Sequence, residues 1–128
     1  MTEINTVLVI EDEEIGRYIV TSVLKRMGIG KEILIAINGL EALKLLRKLC
    51  VNQSCPELIF LDIKMPVING FEFLTELEKS NDIDISGSKI ILLSSSANPK
   101  DLEKAEYYPF ITYMYKPLTR EKLQQVLA

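Results

Sequence analysis

Histidine is absent from this chain. That absence excludes imidazole acid–base catalysis, His-ligated metal sites and any phosphohistidine carried by the chain itself. Cysteine is nearly as scarce, with Cys50 and Cys55 the only two. With no histidine and no second cysteine pair they make no zinc set, and they are read as reduced thiols flanking a loop. An excess of positive charge is missing too. Fifteen Lys and Arg stand against eighteen Asp and Glu, for a net charge of −3, and they form no basic stripe for nucleic acid. No apolar run approaches the ~20 residues that a membrane helix needs. The opening Met1-Thr2-Glu3-Ile4-Asn5 lacks the basic and apolar regions of a signal peptide. The expectation is a cytoplasmic protein that engages neither nucleic acid nor membrane.

What is present is a repeated alternation. The 128 residues, 48% hydrophobic and 26% charged, suit one soluble domain over residues 1–128 with a core of its own. Five apolar, β-branched runs read as strands: Thr6–Ile10, Glu32–Ile35, Leu58–Leu61, Ile90–Leu93 and Ile111–Tyr115. Between them lie segments of helical period. Ile15, Ile19, Val23 and Met27 recur at helical spacing before Gly28, and Leu40, Leu43, Leu46 and Leu49 share a face. Asn69 with Glu72 three residues on predicts a capping box ahead of Phe73, Leu74 and Leu77. Asn98-Pro99 opens a fourth helix, and Thr119 caps a fifth. The polar stretch Ser80–Ser88 has no period and reads as a loop insertion. Strict β-α alternation, five times over, predicts an α/β fold: a doubly wound five-stranded parallel sheet with five helices on its two faces.

In such sheets ligands bind beyond the carboxyl ends of the strands. The residues there are chemically pointed. Glu11-Asp12 end the first strand, Asp62 the third, Ser94-Ser95 the fourth, and Lys116 the fifth. Three close carboxylates repel one another unless a cation or a proton intervenes. An all-oxygen set with open positions suits Mg²⁺, which keeps waters and shares phosphate oxygens. A lysine ammonium and a small hydroxyl suit the remaining phosphoryl oxygens. Together they would clamp a phosphoryl group being transferred to a carboxylate oxygen.

These residues carry a family resemblance over essentially the whole chain. Val9-Ile10-Glu11-Asp12, Leu61-Asp62-Ile63-Lys64-Met65-Pro66 with Gly70, Leu93-Ser94-Ser95 and Tyr113-Met114-Tyr115-Lys116-Pro117 resemble the receiver domains of two-component response regulators. The resemblance implies a flavodoxin-like fold with strand order 2-1-3-4-5. It implies that Asp62 is the phosphoacceptor, and that Glu11, Asp12, Asp62 and the backbone carbonyl of Lys64 hold Mg²⁺. Lys116 would bind phosphoryl oxygens, Ser94 would move toward the phosphoaspartate, and the Tyr113 rotamer would follow it. The Lys116-Pro117 bond would be cis. Three departures stand out. Glu11 replaces the commoner Asp, Ser94 replaces the commoner Thr, and Lys64 and Ser96 occupy positions that vary with dephosphorylation rate in the family.

The implied function is that of a single-domain response regulator rather than an enzyme with turnover. A sensor histidine kinase or histidine phosphotransfer protein would supply the phosphoryl group, docking beside Asp62 near Ile15 and Leu118. A downstream protein target would read the fourth helix, fifth strand and fifth helix, where Tyr107, Tyr108, Pro109 and Tyr113 are candidate contacts. Family analogy also allows a homodimer through that face. Two rivals are weaker. A phosphohydrolase of the haloacid dehalogenase type needs a second Asp where Lys64 stands, and a docking-only pseudo-receiver has no use for the complete acid, hydroxyl and lysine set.

Overall fold

The computed structural model describes residues 3–95 and 98–127. Strands and helices alternate without exception: β1 (Thr6–Ile10), α1 (Glu14–Met27), β2 (Glu32–Ala36), α2 (Gly39–Val51), β3 (Leu58–Asp62), α3 (Gly70–Lys79), β4 (Lys89–Ser94), α4 (Pro99–Ala105), β5 (Ile111–Tyr115) and α5 (Arg120–Leu127). All pairings are parallel, in the order β2-β1-β3-β4-β5. This is the doubly wound, flavodoxin-like arrangement that the alternation and the resemblance implied.

The side-chain period of two explains the layering. Val7 and Val9 of β1, Leu58 and Phe60 of β3, and Ile91 and Leu93 of β4 join Val20, Leu24 and Leu123 in one apolar layer with α1 and α5. Leu8, Ile10, Ile59, Leu61, Ile90 and Leu92 point the other way, onto Leu43, Leu46, Phe73, Leu74 and Ala105 of α2, α3 and α4. Central β3 is buried along its whole length, as a strand covered on both faces must be.

Caps set the helix starts. Asn69 Oδ1 accepts from Glu72 N at 2.9 Å while Glu72 Oε1 accepts from Asn69 N at 2.9 Å, completing the expected box. Asn98 caps α4 through Lys100 N, with Pro99 in the first turn, and Thr119 Oγ1 accepts from Lys122 N at 3.2 Å. Gly28, at φ 66°, ends α1.

Several expectations need correction. The inward stripe of α1 is Val20, Val23 and Leu24, whereas Ile15 is 74% exposed. On α2, Ala42, Leu43 and Leu46 are buried and Leu40 is exposed. Leu118 is buried in the α1/α5 layer and offers nothing to a docking partner. Cys50 and Cys55 are joined in a disulfide, their Cα atoms 4.4 Å apart. The turn after α2 brings them together, with Gln53 at φ 58° and Ser54 N donating to Leu49 O at 3.0 Å. The loop from Ser80 to Ser88 is not merely polar, because Ile83 is buried and Ile85 packs against the α2/α3 layer.

Candidate functional site

The sheet ladder continues past the formal strand ends, and that continuation places the site. Ile10 is level with both Ala36 and Leu61, and Asp62 with Leu93. Beyond them Glu11 N donates to Ala36 O at 3.0 Å, Ile63 N to Leu93 O at 3.3 Å, and Lys116 N to Ser94 O at 2.7 Å. Glu11, Asp62, Ser94 and Lys116 are therefore set at one edge by backbone hydrogen bonds rather than by loop conformation.

Burial marks the same residues. Among the described residues, the buried polar or charged side chains are Glu11, Asp62 and Ser94. Polar groups are rarely buried without a partner or a task. A carboxylate oxygen from each of Glu11, Asp12 and Asp62 lies within 4.8 Å of the others. Lys116 Nζ bridges two of them, 2.9 Å from Glu11 Oε1 and 3.2 Å from Asp62 Oδ1. Asp12 Oδ1 is buried and, among the described residues, has no hydrogen-bond partner.

One ammonium cannot neutralise three acids, and burial sharpens the deficit. Burial, then hydrogen bonding with Glu11 and its charge, pushes the Asp62 carboxyl up to about 7 against the opposing pull of Lys116. Burial and Glu11 also raise Asp12. For Glu11 burial acts upward, but the hydrogen bond with Asp62 and the Lys116 ammonium outweigh it and hold the carboxyl below its usual range. Burial lowers Lys116, yet the two carboxylates overcome that and raise it. A proton or a cation would relieve the repulsion among these carboxylates.

Arg17, which sequence reasoning missed, locks the acid loop. Its Nη1 donates to Glu11 O at 3.1 Å and to Asp12 O at 2.9 Å. Its signal in the sequence is faint: an arginine in the opening turns of the helix that follows the acids. Gly70 is the second omission as a structural element of the site. Its N donates to Ile63 O at 2.8 Å, so the start of α3 presses on the Asp62 peptide.

The other expected residues are distributed as follows. Lys64 follows Asp62 by two positions with its side chain exposed, and Tyr113 packs edge-on against Tyr115 at 5.5 Å. The Lys116–Pro117 peptide is cis. Tyr107 is exposed, but Tyr108 packs against Phe71 and shares a 2.9 Å hydrogen bond with Thr75 Oγ1, which ties the turn after α4 to α3. Ser96 lies outside the described residues.

Residues 7–128 match the sequence model of the response regulator receiver domain. Over 128 residues the chain is 32% identical to the two-component response regulator ORR41 of Oryza sativa subsp. japonica, covering 95% of this chain and 91% of the rice protein. It is 31% identical over 121 residues to the sensor histidine kinase CheAY of Helicobacter pylori, covering 94% of this chain. The chain spans only 3–14% of the length of that kinase and of the hybrid histidine kinases of Dictyostelium discoideum that it also matches. The crystal structure of a two-component response regulator from Cytophaga hutchinsonii matches it with a TM-score of 0.89 at 31% identity, covering 98% of this chain and 96% of that one. With these likenesses over its whole fold, the chain belongs to the response regulator receiver domain family.

Proposed function

We propose that the domain accepts a phosphoryl group on Asp62 in a Mg²⁺-dependent reaction, and that the modification switches a protein-binding face in phosphorelay signalling. The carrying observation is the acid cluster itself: three carboxylates within 4.8 Å, one bridging lysine and an orphaned Asp12 Oδ1. The donor set fits a hard divalent cation that prefers oxygen ligands. Glu11, Asp12, Asp62 and the backbone carbonyl of Lys64 would hold it. Once bound, it would neutralise the carboxylates and polarise phosphoryl oxygens.

The remaining work falls to the chain's own residues. An Asp62 carboxylate oxygen attacks phosphorus, a P–O bond forms, and the bond from phosphorus to the donor's nitrogen or oxygen breaks with its electron pair going to the donor. Lys116, already 3.2 Å from Asp62 Oδ1, turns its ammonium to a phosphoryl oxygen. Ser94 donates a hydrogen bond from its hydroxyl to another, and the Tyr113 rotamer follows that movement. The buried setting strengthens these contacts. Because these 128 residues contain no histidine, the donor lies outside them: a sensor histidine kinase or a histidine phosphotransfer protein. Ile15 and Tyr18, exposed on α1 beside the acids, offer it an apolar footing.

Output would pass through α4, β5 and α5, where Leu102, Tyr107, Phe110 and Tyr115 expose apolar surface to a downstream protein or a second copy of the chain. In this reading the receiver domain works as a phosphorylation-driven switch and Asp62 serves signalling, not substrate turnover. Incubation with Mg²⁺ and acetyl phosphate should give one acid-stable, base-labile adduct by intact mass, absent in Asp62→Asn. Failure to form it with any donor would favour a docking-only module, and steady phosphate release from unrelated phosphoesters would favour a hydrolase.

A further inference from the structure

Gly16 is the third residue of α1, a place where glycine weakens a helix relative to alanine. Its backbone conformation gives no reason for glycine, since it sits inside a regular helix. Its surroundings do. A methyl group built on Gly16 would overlap Glu11 Oε1 and would stand 2.7 Å from Cδ and 3.0 Å from Cγ of the same side chain. Turning the carboxylate alone does not relieve this, because the carboxyl carbon stays in place on that rotation and the Cγ methylene is also tight. Glu11 has little room to retreat either. It is 4% exposed, its Oε1 is bound to Lys116 Nζ at 2.9 Å, and its Oε2 accepts from Glu13 N at 3.3 Å.

We propose that Gly16 is a positioning residue for the metal site: it vacates the volume that the longer glutamate at position 11 needs to bring its carboxylate beside Asp12 and Asp62. An aspartate at position 11 is one methylene shorter, ends nearer β1, and leaves that volume to an ordinary Cβ. Glu11 and Gly16 are thus a matched pair. The glycine costs helix stability and in exchange sets where one of the three carboxylates lies.

The inference rests on the metal reading above, and a four-protein cycle keeps the two separable. The proteins are the parent, Gly16→Ala, Glu11→Asp and the double variant, each assayed for Mg²⁺ affinity by calorimetry and for thermal stability without metal. In the parent background Gly16→Ala weakens Mg²⁺ binding by about tenfold or more and lowers the metal-free Tm. In the Glu11→Asp background the same substitution leaves affinity within about twofold and raises the Tm, as alanine does in a helix. Equal effects in both backgrounds, or no effect in either, would overturn the pairing. Should Gly16→Ala fail to fold, folding of the double variant supports the proposal and failure of both overturns it. Should the parent bind no Mg²⁺, the metal reading falls while the metal-free Tm cycle still decides the pairing.

Discussion

Asp62 concentrates the chemistry of the molecule in one carboxyl group. Its ordinary value of 3.8 is raised to about 7 by burial and by Glu11. An acid whose folded pKa exceeds its unfolded value binds more protons in the native state between those two values. Native stability attributable to it is therefore full at low pH and is lost as pH rises through that window. Asn cannot ionise. In the absence of divalent metal, Asp62→Asn should match the parent near pH 4 and exceed it by roughly 1–3 kcal/mol at pH 8, as read by urea denaturation at both pH values. A parent no less stable than the variant at pH 8 would contradict the strained-carboxylate picture. The residues of the site were legible in the sequence because each is polar at the end of an apolar strand, where burial makes polarity anomalous. Gly16 and Arg17 were not. One acts by a distance that only the fold creates, and the other through backbone carbonyls that carry no sequence signature.

At the scale of elements, strand ends and helix starts are built against one another. The Gly70 position at the head of α3 shows how tightly: a Cβ there would meet Asp62 O at 2.7 Å and Ile63 Cα at 3.0 Å, both backbone atoms that cannot swing aside. Gly70→Ala should cost roughly 1–3 kcal/mol by overpacking and displace the Asp62 peptide. Gly87→Ala, with nothing within 4 Å of the added methyl, should change stability by less than about 0.5 kcal/mol. Chemical denaturation of the pair checks both. Element order and the parallel sheet followed directly from the β-α alternation, since parallel sheets bury strands on both faces and leave unbroken apolar runs, whereas the strand order came from the family resemblance. Helix faces were less legible. Ile15 and Ile19 have the same spacing as the true inward residues Val20 and Leu24, so periodicity alone fits two rotations of α1. Composition cannot say which rotation meets the sheet. Leu118 illustrates the converse, an apolar residue after a turn that looks available until α1 and α5 close over it. The Cys50–Cys55 bridge depends on the turn at Gln53, a backbone feature that spacing does not encode.

For the molecule as a whole, the question is how a change at Asp62 reaches a surface. The route is short. Asp62 is level with Leu93, Ser94 ends the same strand, and Lys116 N is bound to Ser94 O at 2.7 Å, so the site is wired to β4 and β5. The next helix, α4, has seven residues, of which only Ala105 is buried. An element with so little buried surface is held by a small free-energy gap and shifts under a modest bias. A phosphoryl group carrying about −1.5 to −2 charge, in place of the smaller charge of the Asp62 carboxylate, would supply that bias through Ser94 and Lys116. By contrast α2 buries Leu43 and Leu46, and α3 buries Phe71, Phe73, Leu74 and Leu77, so both resist it. In amide hydrogen exchange, α4 should therefore open more readily than α2 in the unmodified protein. Acetyl phosphate with Mg²⁺ should alter exchange in β4, α4, β5 and α5 while leaving α2 unchanged. Ser94→Ala should keep the Asp62 adduct, since the nucleophile and the acids remain, but lose most of the α4 response. A response spread evenly over all helices, or one that survives in Ser94→Ala, would place the coupling outside the β4–α4 route.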